Sequence, residues 1–188
     1  QVCAAIDYTL TVVQPNDTVC STVDASYNID IGQSGSYTDP VTLSVTGVPA
    51  SATSVFSVNP VTPTGSSVLT ISNLGSIAPG TYNLVLNTSS TSGPKTENLK
   101  LVILGTPGST SLLTPTDLAT GVSTSINLTW SAVPSAGITY EIDIATDLAF
   151  SSIIDNATGL ITESYTSGLL TGGTTYYWRV RALNACGV

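Results

Sequence analysis

Apolar residues recur at every second position in short runs along this chain, and the run nearest its C-terminal end is the clearest. In LTGGTTYYWRVRA, Leu170, Thr174, Tyr176, Trp178, Val180 and Ala182 share one parity, while Tyr177, Arg179 and Arg181 take the other. A period of two places the first set on the buried face of a β-strand and the second toward water. The same rule predicts seven strands between about Ala5 and Leu104. Their inward faces are Tyr8, Leu10 and Val12; Tyr27, Ile29 and Ile31; Val41, Leu43 and Val45; Val55 to Val58 around Phe56; Leu69 and Ile71; Tyr82, Leu84 and Leu86; and Leu99, Leu101 and Ile103. Between them lie turn-forming clusters such as Gln14-Pro15-Asn16-Asp17, Asp39-Pro40, Asn59-Pro60 and Pro79-Gly80.

Gly105 to Ser111, GTPGSTS, reads as a linker between two apolar segments. It divides the chain into a first sandwich over residues 1–104, the linker over 105–111, and a second sandwich over 112–188. In the second, Ile126, Leu128 and Trp130 face inward, as do Tyr140, Ile142 and Ile144, with Glu141 and Asp143 outward. Seven short strands at roughly ten-residue spacing is the count an immunoglobulin-like sandwich needs. The predicted fold class is therefore all-β, with two sandwiches in tandem.

Particular stretches go beyond a generic sandwich. The order Leu, turn, Thr, Tyr and alternating apolar residues at 170–182 resembles the F strand of fibronectin type III domains, in which the tyrosine forms a corner that pins the strand entry. Trp130, the Tyr140 strand, ATDLAF and TTYYWRVRALN extend that likeness over the whole second unit. One departure is Gly172 where the family usually has proline. Another is that the chain stops just after the sixth strand of this unit, which predicts an open edge filled by a second copy or by the N-terminal tail. In the first unit, VTLSVTGVP, FSVNPVTPTGSSVLTISN and APGTYNLVLNTSS resemble the immunoglobulin-like accessory domains found beside catalytic domains in secreted bacterial proteases and glycosidases. The resemblance implies a secreted or cell-surface bacterial protein whose partners are the other domains of its own polypeptide. It also implies a metalloprotease or related hydrolase as the parent. The alternative is an adhesion module that binds surface glycan or host protein.

Composition narrows the function further. Of 188 residues only 9% are charged, against roughly 25% in an average soluble domain, so hydroxyls must cover most of the surface. The formal net charge is -8, and the basic residues are Lys95, Lys100, Arg179 and Arg181. Phosphate backbones and anionic lipid surfaces are repelled by such a chain, which excludes nucleic acid as a partner. No apolar run reaches the roughly 18 residues of a membrane-spanning helix. The chain opens at Gln1 and contains no Met, so it reads as an internal piece of a longer precursor. Cys3, Cys20 and Cys186 are an odd number without metal-binding spacing, and in this setting they read as extracellular disulfide partners. Cys3 meets Cys20 only if the chain folds back at Gln14 to Asp17, and Cys186 is expected to pair outside the chain.

Catalytic chemistry finds little purchase. There is no His, which removes imidazole-based triads and imidazole metal ligands. Lys95 and Lys100 read as solvated surface lysines, and the outward Glu141 and Asp143 as a solubilising pair. No cofactor is expected. Calcium is the ion that Asp147 with Asp155, or Asp24 with Asp30, would suggest, but neither pair has the spacing of a calcium loop. Asp147 reads better as a turn cap, with Phe150 plugging the core. Four N-x-S/T triplets, at Asn16, Asn87, Asn127 and Asn156, are what a Ser/Thr-rich chain produces by chance. The candidate ligand contacts are Tyr177, Arg179 and Arg181, an outward stacking platform for a sugar or peptide. A recognition module would show an exposed aromatic patch there, or among Tyr27, Tyr37 and Tyr165.

Overall fold

Wherever the apolar alternation is strict, the backbone is a strand. A computed structural model describes residues 6–188, and the chain divides into two units, 1–105 and 106–188. The first holds β1 (Asp7–Val12), β2 (Asn16–Cys20), β3 (Ala25–Ser34), β4 (Thr42–Thr46), β5 (Thr53–Phe56), β6 (Gly65–Ser72), β7 (Gly80–Ser89) and β8 (Thr96–Leu104). One sheet has the order β1-β3-β6-β5 and the other β2-β8-β7-β4. In β3 the pattern is complete: Ala25, Tyr27, Ile29 and Ile31 are buried while Ser26, Asn28 and Asp30 are exposed. Facing them across the sandwich are Leu84 and Leu86 of β7 and Leu99, Leu101 and Ile103 of β8, all part of one core.

The strand that alternation did not predict is β2. Pro15 has no N–H to donate to a ladder, and Gln14-Pro15 is where the chain leaves one sheet for the other. After β1 pairs antiparallel with β3, β2 pairs parallel with β8, Asn16 opposite Lys100 through Cys20 opposite Leu104. The segment at 14–17 is thus a sheet switch, and the fold-back expected for a Cys3–Cys20 bridge does not occur there. Cys3 lies outside the described residues. Cys20 and Cys186 are both disulfide-bonded, which corrects the expectation that Cys186 seeks a partner outside the chain.

Buried tyrosines close the first core with hydrogen bonds. Tyr27 donates its hydroxyl to the Lys100 carbonyl at 3.1 Å, and burial pushes its pKa well above the ordinary phenol value. Tyr8 donates to the Gly93 carbonyl at 3.0 Å and shares a hydrogen bond with Thr88. Lys95 lies over the Tyr8 ring, 4.9 Å from its centre, and its ammonium is 2.7 Å from Asp7. It is therefore an anchored side chain and not the solvated lysine its turn suggested. At β5 only Phe56 faces the core, while Val55 and Val58 are exposed.

The second unit contains β9 (Leu112–Thr114), β10 (Asn127–Trp130), β11 (Thr139–Ala145), β12 (Ile153–Leu160), β13 (Ser164–Thr166) and β14 (Tyr177–Leu183). They form two three-stranded sheets, β13-β10-β9 and β12-β11-β14. Between the sheets lie Leu128, Trp130, Tyr140, Ile142, Ile144 and Ala182, with the Trp130 and Tyr140 rings edge to face at 5.5 Å. Entry to β14 is pinned by Tyr176, whose hydroxyl accepts the Thr171 N–H at 3.0 Å and donates to the Thr171 carbonyl at 3.4 Å. That is the corner the resemblance implied, formed despite Gly172.

Burial separates residues of one type by their role. Leu101→Ala should cost about 2–5 kcal/mol through lost burial and a residual cavity. Val55→Ala, at a side chain 63% exposed, should stay within about 0.5 kcal/mol. Urea unfolding of the two variants measures both.

Candidate functional site

Strict antiparallel register between β11 and β14 decides what surrounds the candidate ligand contacts. Glu141 stands opposite Arg181, Asp143 opposite Arg179 and Ala145 opposite Tyr177. All six are on the outer face, because their neighbours Ile142, Ile144, Trp178 and Val180 pack into the core. Tyr177, Arg179 and Arg181 thus share one face, as alternation predicts.

The arginines on that face are engaged by carboxylates. Arg179 donates Nε to Asp143 Oδ2 at 2.8 Å, and its Nη2 is also 2.8 Å from that oxygen. Arg181 Nη2 lies 3.1 Å from Glu141 and 3.4 Å from Asp143. The Asp143 side chain is only 9% exposed, so this is no solubilising pair but a cross-strand ion cluster centred on a nearly buried carboxylate. Alternation alone identified the face, but the opposing strand that supplies the carboxylates emerges only from the register. Beneath Arg179 lies Phe150, its ring centre 4.3 Å from the guanidinium carbon. Phe150 is half-buried in a left-handed backbone conformation, φ 56°, and does not plug the core as its position in ATDLAF suggested. Tyr177 is half-buried across from Ala145.

The aspartates considered for calcium hold turns. Asp147 accepts the backbone N–H of Ser151 at 3.1 Å and of Ser152 at 2.7 Å, and the Ser151 hydroxyl at 2.9 Å. These donors, the Ser151 N–H first, hold its pKa below the ordinary carboxylate value. Asp155 accepts the Tyr165 hydroxyl and the Gly168 N–H, each at 2.8 Å. Asp24 and Asp30 are exposed. Among the described residues no three metal-ligating side chains converge. The second aromatic patch is also corrected, since Tyr27 and Tyr37 are buried at 0% and 4% exposure and Tyr165 is tied to Asp155.

A feature that alternation does not reveal is a cavity of about 720 Å³ in the second unit. Leu112 and Leu128 line it from one sheet and Ile144 and Trp178 from the other, with Leu118 and Leu148 at exposed positions of its wall.

No family model and no curated protein sequence matches this chain. Among solved structures it is similar to a fragment holding titin domains A168-A170, with 16% identity and a TM-score of 0.56 over 98% of this chain and 62% of that one. An E-to-A variant of titin domains I67-I69 aligns over 99% of this chain and 63% of its own, with 11% identity and a TM-score of 0.57. The chain thus spans about three fifths of the titin fragments it matches. Domains 1-6 of the surface layer protein SbsC align at 9% identity and a TM-score of 0.41, over 100% of this chain and 27% of that one, too low to bear on the fold. The titin likeness is one of fold: the chain is all-β, with β-sandwiches of the immunoglobulin and fibronectin type III kind.

Exposure sets the expected worth of each ion pair. Asp143→Ala, which removes a nearly buried acceptor from two arginines, should lower stability by about 1–3 kcal/mol. Glu141→Ala, at an exposed pair, should cost less than about 1 kcal/mol; chemical denaturation with and without added salt measures both. For Asp147, whose folded pKa is depressed, the stabilisation is present above the unfolded value near 3.8 and is lost as pH falls through the folded one. Asp147→Asn should therefore flatten the melting-temperature profile between about pH 5 and 2.

Proposed function

We propose that this chain is a pair of non-catalytic sandwich modules of a secreted bacterial multidomain protein, which space, stabilise or present a catalytic or adhesive domain elsewhere in the polypeptide. The observation that carries the reading is where the charges go. Three of the four basic side chains, Lys95, Arg179 and Arg181, are ion-paired to carboxylates of the same unit. Asp147 and Asp155 hold backbone N–H groups in turns. Side chains bound in this way maintain strands and turns and are not poised for proton transfer or covalent attack.

Secretion is supported by the disulfide-bonded state of Cys20 and of Cys186, since disulfides persist in oxidising compartments. The motifs of the first unit support a metalloprotease or related hydrolase as the parent, an argument from module company. The role requires no cofactor, nucleic acid or membrane insertion.

The rival reading, a module for surface glycan or host protein, rests on Tyr177. Glycan arrays and pull-downs with candidate host proteins, run with the chain and with Tyr177→Ala, should show no specific binding by either. A specific ligand retained by the chain and lost by the variant would overturn the spacer reading.

A further inference from the structure

The sheets of the first unit end on β1 and β5 in one case and on β2 and β4 in the other. β1 and β2 carry aspartates, Asp7 and Asp17, and charge on an edge discourages pairing with another chain. β4 is closed by the chain itself. Val41 and Val61 exchange N–H to carbonyl bonds of 2.8 and 2.9 Å, and the Asn59 side-chain amide takes the place of a strand beside Leu43. It accepts the Leu43 N–H at 2.9 Å and donates to the Leu43 carbonyl at 2.8 Å. β5 has neither device among the described residues. It lies within residues 40–94, a stretch that contains no Asp, Glu, Lys or Arg.

Hydrogen bonds fix which peptide groups of β5 face outward. The Ser57 N–H donates to the Val68 carbonyl of β6 at 2.9 Å, and β5 continues that register with Phe56 opposite Leu69 and Val55 opposite Thr70. Peptide groups of an antiparallel strand point to alternate sides. Those of Val55 therefore face β6, and those of Ser54 and Phe56 face away from it. On either side the next outward N–H is already engaged: Ala52 donates to the Pro49 carbonyl at 2.9 Å and Val58 to Ser67 Oγ at 3.1 Å. The available edge is thus centred on Val55. Phe56 packs against the core, so the Val55 side chain, 63% exposed, stands on the outer face.

Such an edge is complementary to itself. With two copies antiparallel about a two-fold axis at Val55, Ser54 of each stands opposite Phe56 of the other as a hydrogen-bonded pair. The two Val55 side chains then meet as a non-hydrogen-bonded pair, the closer kind. Moving the axis by one residue either way would call on the N–H of Ala52 or of Val58, which is already given. Charge favours the same contact. The chain carries a formal charge of -8, so two copies approach best through a surface without carboxylates, and Val55 has Thr70 as its cross-strand neighbour.

We propose that β5 is a docking edge for β5 of a second copy of this chain, paired antiparallel about Val55 so that the two β1-β3-β6-β5 sheets become one. The contact goes beyond a spacer role within one polypeptide, because it sets two such polypeptides side by side. Pairing of strands this short buries little area and belongs with weak, reversible interfaces.

The test uses the whole chain. Sedimentation velocity from about 10 μM to about 1 mM should show a monomer–dimer equilibrium. Ser54→Pro removes an N–H that points away from β6, a position at which an edge strand tolerates proline. It should leave the melting temperature near that of the chain and abolish the dimer. Val55→Lys or Val55→Glu alone sets like charges opposite one another at the axis, whereas an equimolar mixture sets opposite charges there. The mixture should associate roughly 2- to 30-fold more tightly than either variant alone. A chain that stays monomeric at about 1 mM would overturn the proposal, as would a dimer that survives in a folded Ser54→Pro variant or a mixture no tighter than its components. A monomeric chain whose melting temperature is raised by a synthetic peptide ATSVFSV would assign β5 to a segment of another polypeptide and likewise overturn it.

Discussion

Burial of every second side chain between two sheets is the interaction on which both units depend. A chain with so few charges and, among the described residues, no long amphipathic helix has one large source of stability, the apolar faces of its strands. Each face is useful only if a second sheet covers it. In the first unit the cover is complete, and Tyr27, Ile29, Leu84, Leu86 and Leu101 are fully buried. In the second unit the sheets are three strands each, and Leu128, Trp130, Tyr140, Ile142 and Ile144 are buried between them.

The few charged residues follow from the same constraint. An outward position on a two-sided sandwich stands beside its cross-strand neighbour, so a charge there needs a partner on the adjacent strand more than it needs solvent. Asp143 between Arg179 and Arg181 meets that need across β11 and β14, and Asp7 with Lys95 meets it at the rim of the first unit. Paired charges of this kind fix register, since a one-residue slip of β14 would turn both arginines into the core. A structural role for the modules and the scarcity of free charge are two aspects of one economy of charge.

Much of this was legible in the sequence because period-two alternation depends only on local geometry. Strands β3, β6, β7, β8, β11 and β14 fall where it places them, and Tyr176 forms the corner expected at the entry to β14. What escaped involves partners distant in sequence. β2 was hidden because Asn16–Cys20 alternates weakly and its parallel partner β8 lies some eighty residues away. Tyr37 belongs to no strand, so no pattern marks it as core, yet it packs against Tyr8 with ring centres 5.8 Å apart. Phe150 looked like a plug because it is large and follows a turn, but its left-handed backbone directs it beneath Arg179. The cavity is lined from both sheets of the second unit, and no local pattern records which distant strands come to face one another.

Urea unfolding of alanine variants along β11 tests the account most directly, because the strand turns alternate side chains to the core and to the outer face. Ile142→Ala and Ile144→Ala, at side chains buried between the two sheets, should each cost about 2–5 kcal/mol, and Glu141→Ala, on the outer face, less than about 1 kcal/mol. Equal costs at the three positions would contradict the account.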